Sequence, residues 1–87
     1  MADNGQPASV IRSVAEDVEK LTGQDVEWVS GFERSDEGWK VTLELVELRR
    51  IPETTSVLAT YEAATDSDGN VKQLARTRRY VRNRAEE

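Results

Sequence analysis

Between Pro7 and Thr22 the apolar side chains Ile11, Val14, Val18 and Leu21 recur three and four positions apart. That spacing predicts one stripe of an amphipathic helix, widened by Val10 and Ala15, with Arg12, Glu16, Asp17, Glu19 and Lys20 on the polar side. Pro7 suits the first helical turn and Gly23 the left-handed C-cap.

After Gly23 the period drops to two. Val26, Trp28 and Phe32 alternate with Glu27, Val29 and Glu33 as far as Ser35-Asp36-Glu37-Gly38, and Trp39, Val41, Leu43 and Leu45 alternate with Lys40, Thr42 and Glu44. A four-residue loop that pairs Arg34 with Trp39 puts Phe32 opposite Val41, Trp28 opposite Leu45 and Glu33 opposite Lys40. The two apolar rows then share one face of a hairpin.

Val46 and Leu48 break this scheme by placing apolar groups on the polar side. Arg49 to Thr55 continues without a pattern, and Pro52 lacks the backbone donor a central strand needs, so the chain turns or crosses here. A third strand is expected over Ser56 to Thr65, with Val57, Ala59, Tyr61 and Ala63 inward. A fourth runs from Val71 to Arg82 after the turn Asp66-Ser67-Asp68-Gly69-Asn70; there Leu74 and Tyr80 share a parity with Arg76, Arg78 and Arg82.

The predicted order is a helix and then four strands: an α+β domain of two layers, with the N-terminal helix packed on one face of a four-stranded antiparallel sheet. It spans residues 7–82, between a disordered tail at 1–6 and a C-terminal tail at 83–87. One helix covers one face. Val29, Val46, Leu48 and Leu58 are expected on the other, to be covered by a second copy of the chain, a partner protein, the 50–55 connection or long side chains such as Arg78 and Lys40.

Composition narrows the chemistry. The 87 residues allow one domain with a thin core, and 37% hydrophobic with 33% charged residues is a globular balance. Neither Cys nor His occurs, which removes disulfides, thiolate ligands and the commonest general base. No stretch approaches the roughly 20 apolar residues needed to cross a bilayer, and no signal-like segment opens the chain, so a cytoplasmic protein is expected. Glu44 and Glu47, three apart on a strand, point to opposite faces and cannot serve one substrate. Asp66-Ser67-Asp68-Gly69 resembles the opening of a calcium loop, but the further ligands and closing Glu are missing, so it reads as a turn. Neither a catalytic site, a cofactor, a metal nor a small-molecule substrate is expected.

The net charge is −5, yet residues 72 to 84 carry Lys72, Arg76, Arg78, Arg79, Arg82 and Arg84 without an acid. Guanidiniums interleaved with Tyr80 can grip phosphates and stack a base, or dock a carboxylate-bearing protein surface. The acidic balance of the whole chain favours the protein surface over RNA. Glu62, in the middle of the third strand, is expected to pair with Arg76 or Arg79.

Several short signatures occur in order: Leu21-Thr22-Gly23, Gly38-Trp39, Glu44-x-x-Glu47-x-x-Arg50-Ile51-Pro52, Leu58-Ala59-x-Tyr61-Glu62, Asp66-x-x-Gly69 and Arg76-x-x-Arg79-Tyr80-x-Arg82. Together they resemble the gas vesicle protein O family (GvpO), over about residues 10 to 82. Ser56 stands where that pattern has an acid, and Leu74 where an aromatic is common. The resemblance implies a non-enzymatic accessory protein for forming gas vesicles, the protein-shelled, gas-filled compartments of prokaryotes. It implies contact with other gas vesicle proteins during assembly, at the vesicle or its assembly intermediates, and no membrane. An effect on transcript expression or stability is the alternative it carries. The motif positions Trp39, Glu44, Glu47, Arg50, Pro52, Tyr61 and Glu62 would then serve that role, with Arg76, Arg78, Arg79, Tyr80 and Arg82 as the docking strand.

Overall fold

The computed structural model describes residues 7–82, and the two expected tails lie outside the described residues. Helix α1 (Pro7–Thr22) is followed by β1 (Asp25–Arg34), β2 (Gly38–Leu48), a single 3-10 turn (Glu53–Thr55), β3 (Val57–Asp66) and β4 (Val71–Val81). The four strands form one antiparallel sheet in chain order, β1-β2-β3-β4. The helix packs on one face of it, the expected two-layer α+β arrangement.

Val10, Val14 and Val18, each four residues from the next, are the buried line of the helix. Ile11 is half-buried and Leu21 is 65% exposed, so the contact row is narrower than the predicted stripe. The valines pack on Trp39, Val41, Leu43, Leu45 and Ala63. At the helix end the Thr22 hydroxyl donates to the Val18 carbonyl at 2.8 Å, and the Gly23 N–H donates to the Glu19 carbonyl at 2.8 Å. Gly23 has φ 74°, the left-handed conformation expected of it.

The first hairpin turns where expected, with Arg34 opposite Trp39, Glu33 opposite Lys40 and Phe32 opposite Val41. Farther from the turn the register departs from the simple alternation, because β1 carries an extra residue at Glu27 and another at Ser30. Each bulge inverts the parity of the strand residues beyond it. Trp28 therefore lies opposite Glu44 rather than Leu45, on the face away from the helix, and Val29 lies opposite Leu43 and packs into the core. The expected placements of Trp28 and Val29 are exchanged.

A bulge at Glu47 acts in the same way on β2. Val46 pairs with Leu58, but Leu48 pairs with Val57 and so shares the parity of the Leu43 row, with 44% of its surface exposed. Leu48 does not lie beside Val46 on the open face. The inward row expected for β3 does hold, since Ala59, Tyr61 and Ala63 oppose Leu45, Leu43 and Val41. Because β2 and β3 are neighbours, residues 49–56 form a short connection and not a crossover. Ser56, fully buried, anchors it: its hydroxyl accepts the Arg50 N–H at 3.0 Å and its carbonyl accepts the Arg82 N–H at 2.9 Å.

Val46 and Leu58 do lie on the open face, but they are 7% and 1% exposed. Of the coverings expected for these two, the chain's own side chains supply the burial. Tyr80 pairs with Leu58 from β4. Arg82 reaches from the end of β4 to Glu27 on β1, across the face between the two edge strands.

A candidate interaction face opposite the helix

The family-like motifs resolve into two carboxylate clusters, one on each side of the sheet. On the helix side Glu47 accepts from Arg76 Nη1 at 2.9 Å on Oε2 and from Arg79 Nε at 2.9 Å on Oε1, with the Tyr61 hydroxyl at 3.5 Å. Its side chain is only 8% exposed, so two guanidiniums compensate a largely desolvated charge. Residues 76 and 79 on an ideal strand would face opposite ways. An extra residue at Thr77 brings both arginines to Glu47. The hydrogen bond to Glu47 also raises the Arg76 pKa further.

On the open side Glu44, 6% exposed, accepts three hydroxyl hydrogen bonds: from Ser30 at 2.6 Å, Thr60 at 2.7 Å and Tyr80 at 2.7 Å. Burial pushes its pKa up, but the three hydroxyls, with the nearby Arg78 charge, outweigh that and leave it below the ordinary carboxylate value. Tyr80 answers in the opposite direction: burial, and then its bond to Glu44, push its pKa up to about 12. The expected separation of Glu44 and Glu47 to opposite faces is thus realised, each with its own donors.

Arg82 completes the open face. Its Nη1 donates to Glu27 Oε2 at 2.7 Å and its Nη2 to Glu27 Oε1 at 3.3 Å, and Nη2 lies 3.6 Å from the Glu53 carboxylate. The hydrogen bond from Arg82 holds the Glu27 carboxyl below its usual range. Glu62 does not take part in the expected pairing, because it opposes Ala75 while Glu47 holds Arg76 and Arg79. Arg78 differs from the other arginines of β4: among the described residues it has no carboxylate within ion-pair distance, and its guanidinium lies 4.6 Å from the centroid of the Tyr80 ring.

Trp28, Glu44, Leu58, Thr60, Arg78, Tyr80 and Arg82 line a pocket of about 310 Å³ on this face. Trp28 is 51% exposed at its wall. The sequence pattern marked Trp28 and Glu27 only as strand positions and did not point to them, or to Ser30 and Thr60, as site residues. The adjacent apolar pair Trp28-Val29 beside Ser30-Gly31 is the local sign of a bulge, and Gly31 lets the Thr42 side chain pack close, since a Cβ there would come within 3.1 Å of the Thr42 hydroxyl.

Other motif residues are structural. Trp39 is buried, stacks on Phe32 at 4.7 Å and lies under the Arg34 guanidinium at 4.6 Å. Pro52 caps the 3-10 turn, and Arg50 is exposed with its N–H on Ser56. The Asp66 carboxylate accepts the Asp68 and Asn70 N–H groups at 3.0 and 2.9 Å, closing the turn with the lone pairs a cation would need. Among the described residues no group of His, Cys, Asp or Glu is placed to hold a metal ion, and no helix is long and apolar enough to cross a membrane.

The family described as gas vesicle synthesis protein GvpO matches residues 2–86. Gas vesicle protein O of Streptomyces sp. (strain CB03234) is 41% identical over 80 residues, covering 92% of this chain and 62% of that relative. Gas vesicle protein O1 of Halobacterium salinarum is 36% identical over 50 residues, 58% of this chain and 42% of the relative. The chain spans less than two thirds of the length of either curated relative. No solved structure matches.

Proposed function

Since the chain belongs to the gas vesicle synthesis protein GvpO family, we propose that it acts in gas vesicle formation without catalysis, by binding another gas vesicle protein through the sheet face opposite the helix. The observation that carries this reading is one pocket lined from opposite edge strands by the half-exposed Trp28 and by Arg78, a guanidinium with no carboxylate of its own among the described residues. An exposed indole and an unpaired guanidinium lining the same pocket supply apolar contact and orientation on one face, which is how a small interface gains affinity.

The strand as a whole is a poorer docking element than its composition suggests. Arg76, Arg79 and Arg82 are held by Glu47, Glu27 and Glu53. Those carboxylates also oppose an RNA backbone, which needs several guanidiniums at once. Charge reversal at Arg79 and Arg82 would break internal pairs, so it is a test of folding rather than of docking.

The informative variant is Trp28→Ala with Arg78→Glu, since both side chains are exposed. It should keep the circular dichroism of the parent, melt somewhat lower because Arg78 no longer offsets the Glu44 charge, lose co-purification with vesicle proteins and fail to support vesicles in a strain lacking the native protein. Full vesicle formation by this variant would refute the docking role.

A further inference from the structure

Resting on that reading, we infer that the pocket opposite the helix takes one large apolar or aromatic side chain of a partner segment that places a carboxylate on Arg78. The volume, about 310 Å³, is at the low end for a small-molecule site and fits a single bulky side chain. The walls are the Trp28 indole, the Leu58 side chain, the Tyr80 ring and the stems of Arg78 and Arg82. The floor polar group, Glu44, is already engaged by three hydroxyl donors, so an entering apolar group leaves it hydrogen-bonded.

Charge decides what must flank that group. Glu44 lines the site, and Arg82, which lines it too, is committed to Glu27 and Glu53. Arg78, exposed and stacked on Tyr80, is the lining arginine without an ion-pair partner among the described residues. One carboxylate satisfies it, whereas a run of phosphates would meet the three carboxylates after its first contact. A basic segment would meet Arg78 directly. The segment that fits is therefore acidic next to an aromatic or large aliphatic residue, and not nucleic acid.

The test uses the full chain and three blocked synthetic tripeptides, Glu-Phe-Glu, Lys-Phe-Lys and Glu-Ser-Glu, titrated while the Trp28 indole and Leu58 methyl signals are followed by heteronuclear NMR. Glu-Phe-Glu should move both signals while leaving the Trp39 indole in place, and bind roughly fivefold tighter than Lys-Phe-Lys. Glu-Ser-Glu should bind more weakly than Glu-Phe-Glu. Arg78→Gln should abolish the acidic preference, and Trp28→Ala should weaken both Phe peptides. Equal affinity for acidic and basic peptides, no shift at Trp28, or tighter binding of an oligouridine at the same signals overturns the inference. These outcomes are independent of the vesicle assay. If the peptides behave as stated but Trp28→Ala with Arg78→Glu still builds vesicles, the docking role falls and the pocket chemistry stands.

Discussion

The Arg82 guanidinium holds both oxygens of Glu27, at 2.7 and 3.3 Å, and so ties the residue just beyond β4 to β1 at the other edge of the sheet. In a flat sheet those edge strands would be about 14 Å apart, three spacings of roughly 4.8 Å. The pair therefore closes with both side chains reaching inward over β2 and β3, where Val46 and Leu58 are buried. It fastens the sheet and covers the open face at once.

A double-mutant cycle with Glu27→Gln and Arg82→Gln measures this tie. The two side chains are 28% and 25% exposed, so solvent screens the pair, and a coupling of about 1 kcal/mol is expected from urea denaturation. The coupling should shrink as salt rises. Additive single effects would show that the pair contributes no net stability.

Glu44→Ala should cost about 2 kcal/mol in the same assay, because it removes the shared acceptor of the Ser30, Thr60 and Tyr80 hydroxyls, of which those of Thr60 and Tyr80 belong to half-buried residues. Glu44→Gln retains an acceptor and should cost less than half of that. An alanine variant as stable as the parent would mean that the three hydroxyls find other partners.

Stability should fall at both ends of the pH scale. Glu44 and Glu27 have folded pKa values below the ordinary 4.5, so their contribution is complete above that value and is lost as pH falls through the depressed values. Tyr80 is the reverse case: its proton is held up to about 12 against an ordinary 10.0, a contribution complete below 10.0 and lost as pH rises through about 12. Phenolate absorbance should show one tyrosine titrating near 12, and Tyr80→Phe should remove that step.

Glu47→Gln should unmask the basic strand. With the anion gone, Arg76 and Arg79 lose their common partner and become available to polyanions. The variant should elute from heparin at higher salt than the parent, alongside a stability loss of about 2 kcal/mol. Unchanged elution would show that these guanidiniums were never withheld.

Gly38→Ala tests the start of β2. A Cβ there would land on the Thr65 carbonyl oxygen and the Asp66 carbonyl group, both backbone atoms that cannot swing aside. A loss of roughly 3 kcal/mol is expected by thermal or urea denaturation. A loss under about 0.5 kcal/mol would mean the β2–β3 edge can open to admit a methyl group.

Hydrophobic periodicity by itself determined the helix, the four strands, the first-hairpin turn and the inward row of β3. Those features depend on neighbours a few residues apart, where period and turn chemistry act directly. The same spacing separated Glu44 from Glu47. What only the tertiary structure decided is the side on which a residue lies beyond a bulge, because one extra residue at Glu27, Ser30, Glu47, Lys72 or Thr77 reverses the parity after it. For that reason Trp28 and Val29 exchanged faces, Leu48 left Val46, and Arg76 joined Arg79 on Glu47. Which guanidinium stays uncommitted depends on carboxylates as far as 55 residues away in the chain, as between Glu27 and Arg82, and no local pattern carries that distance.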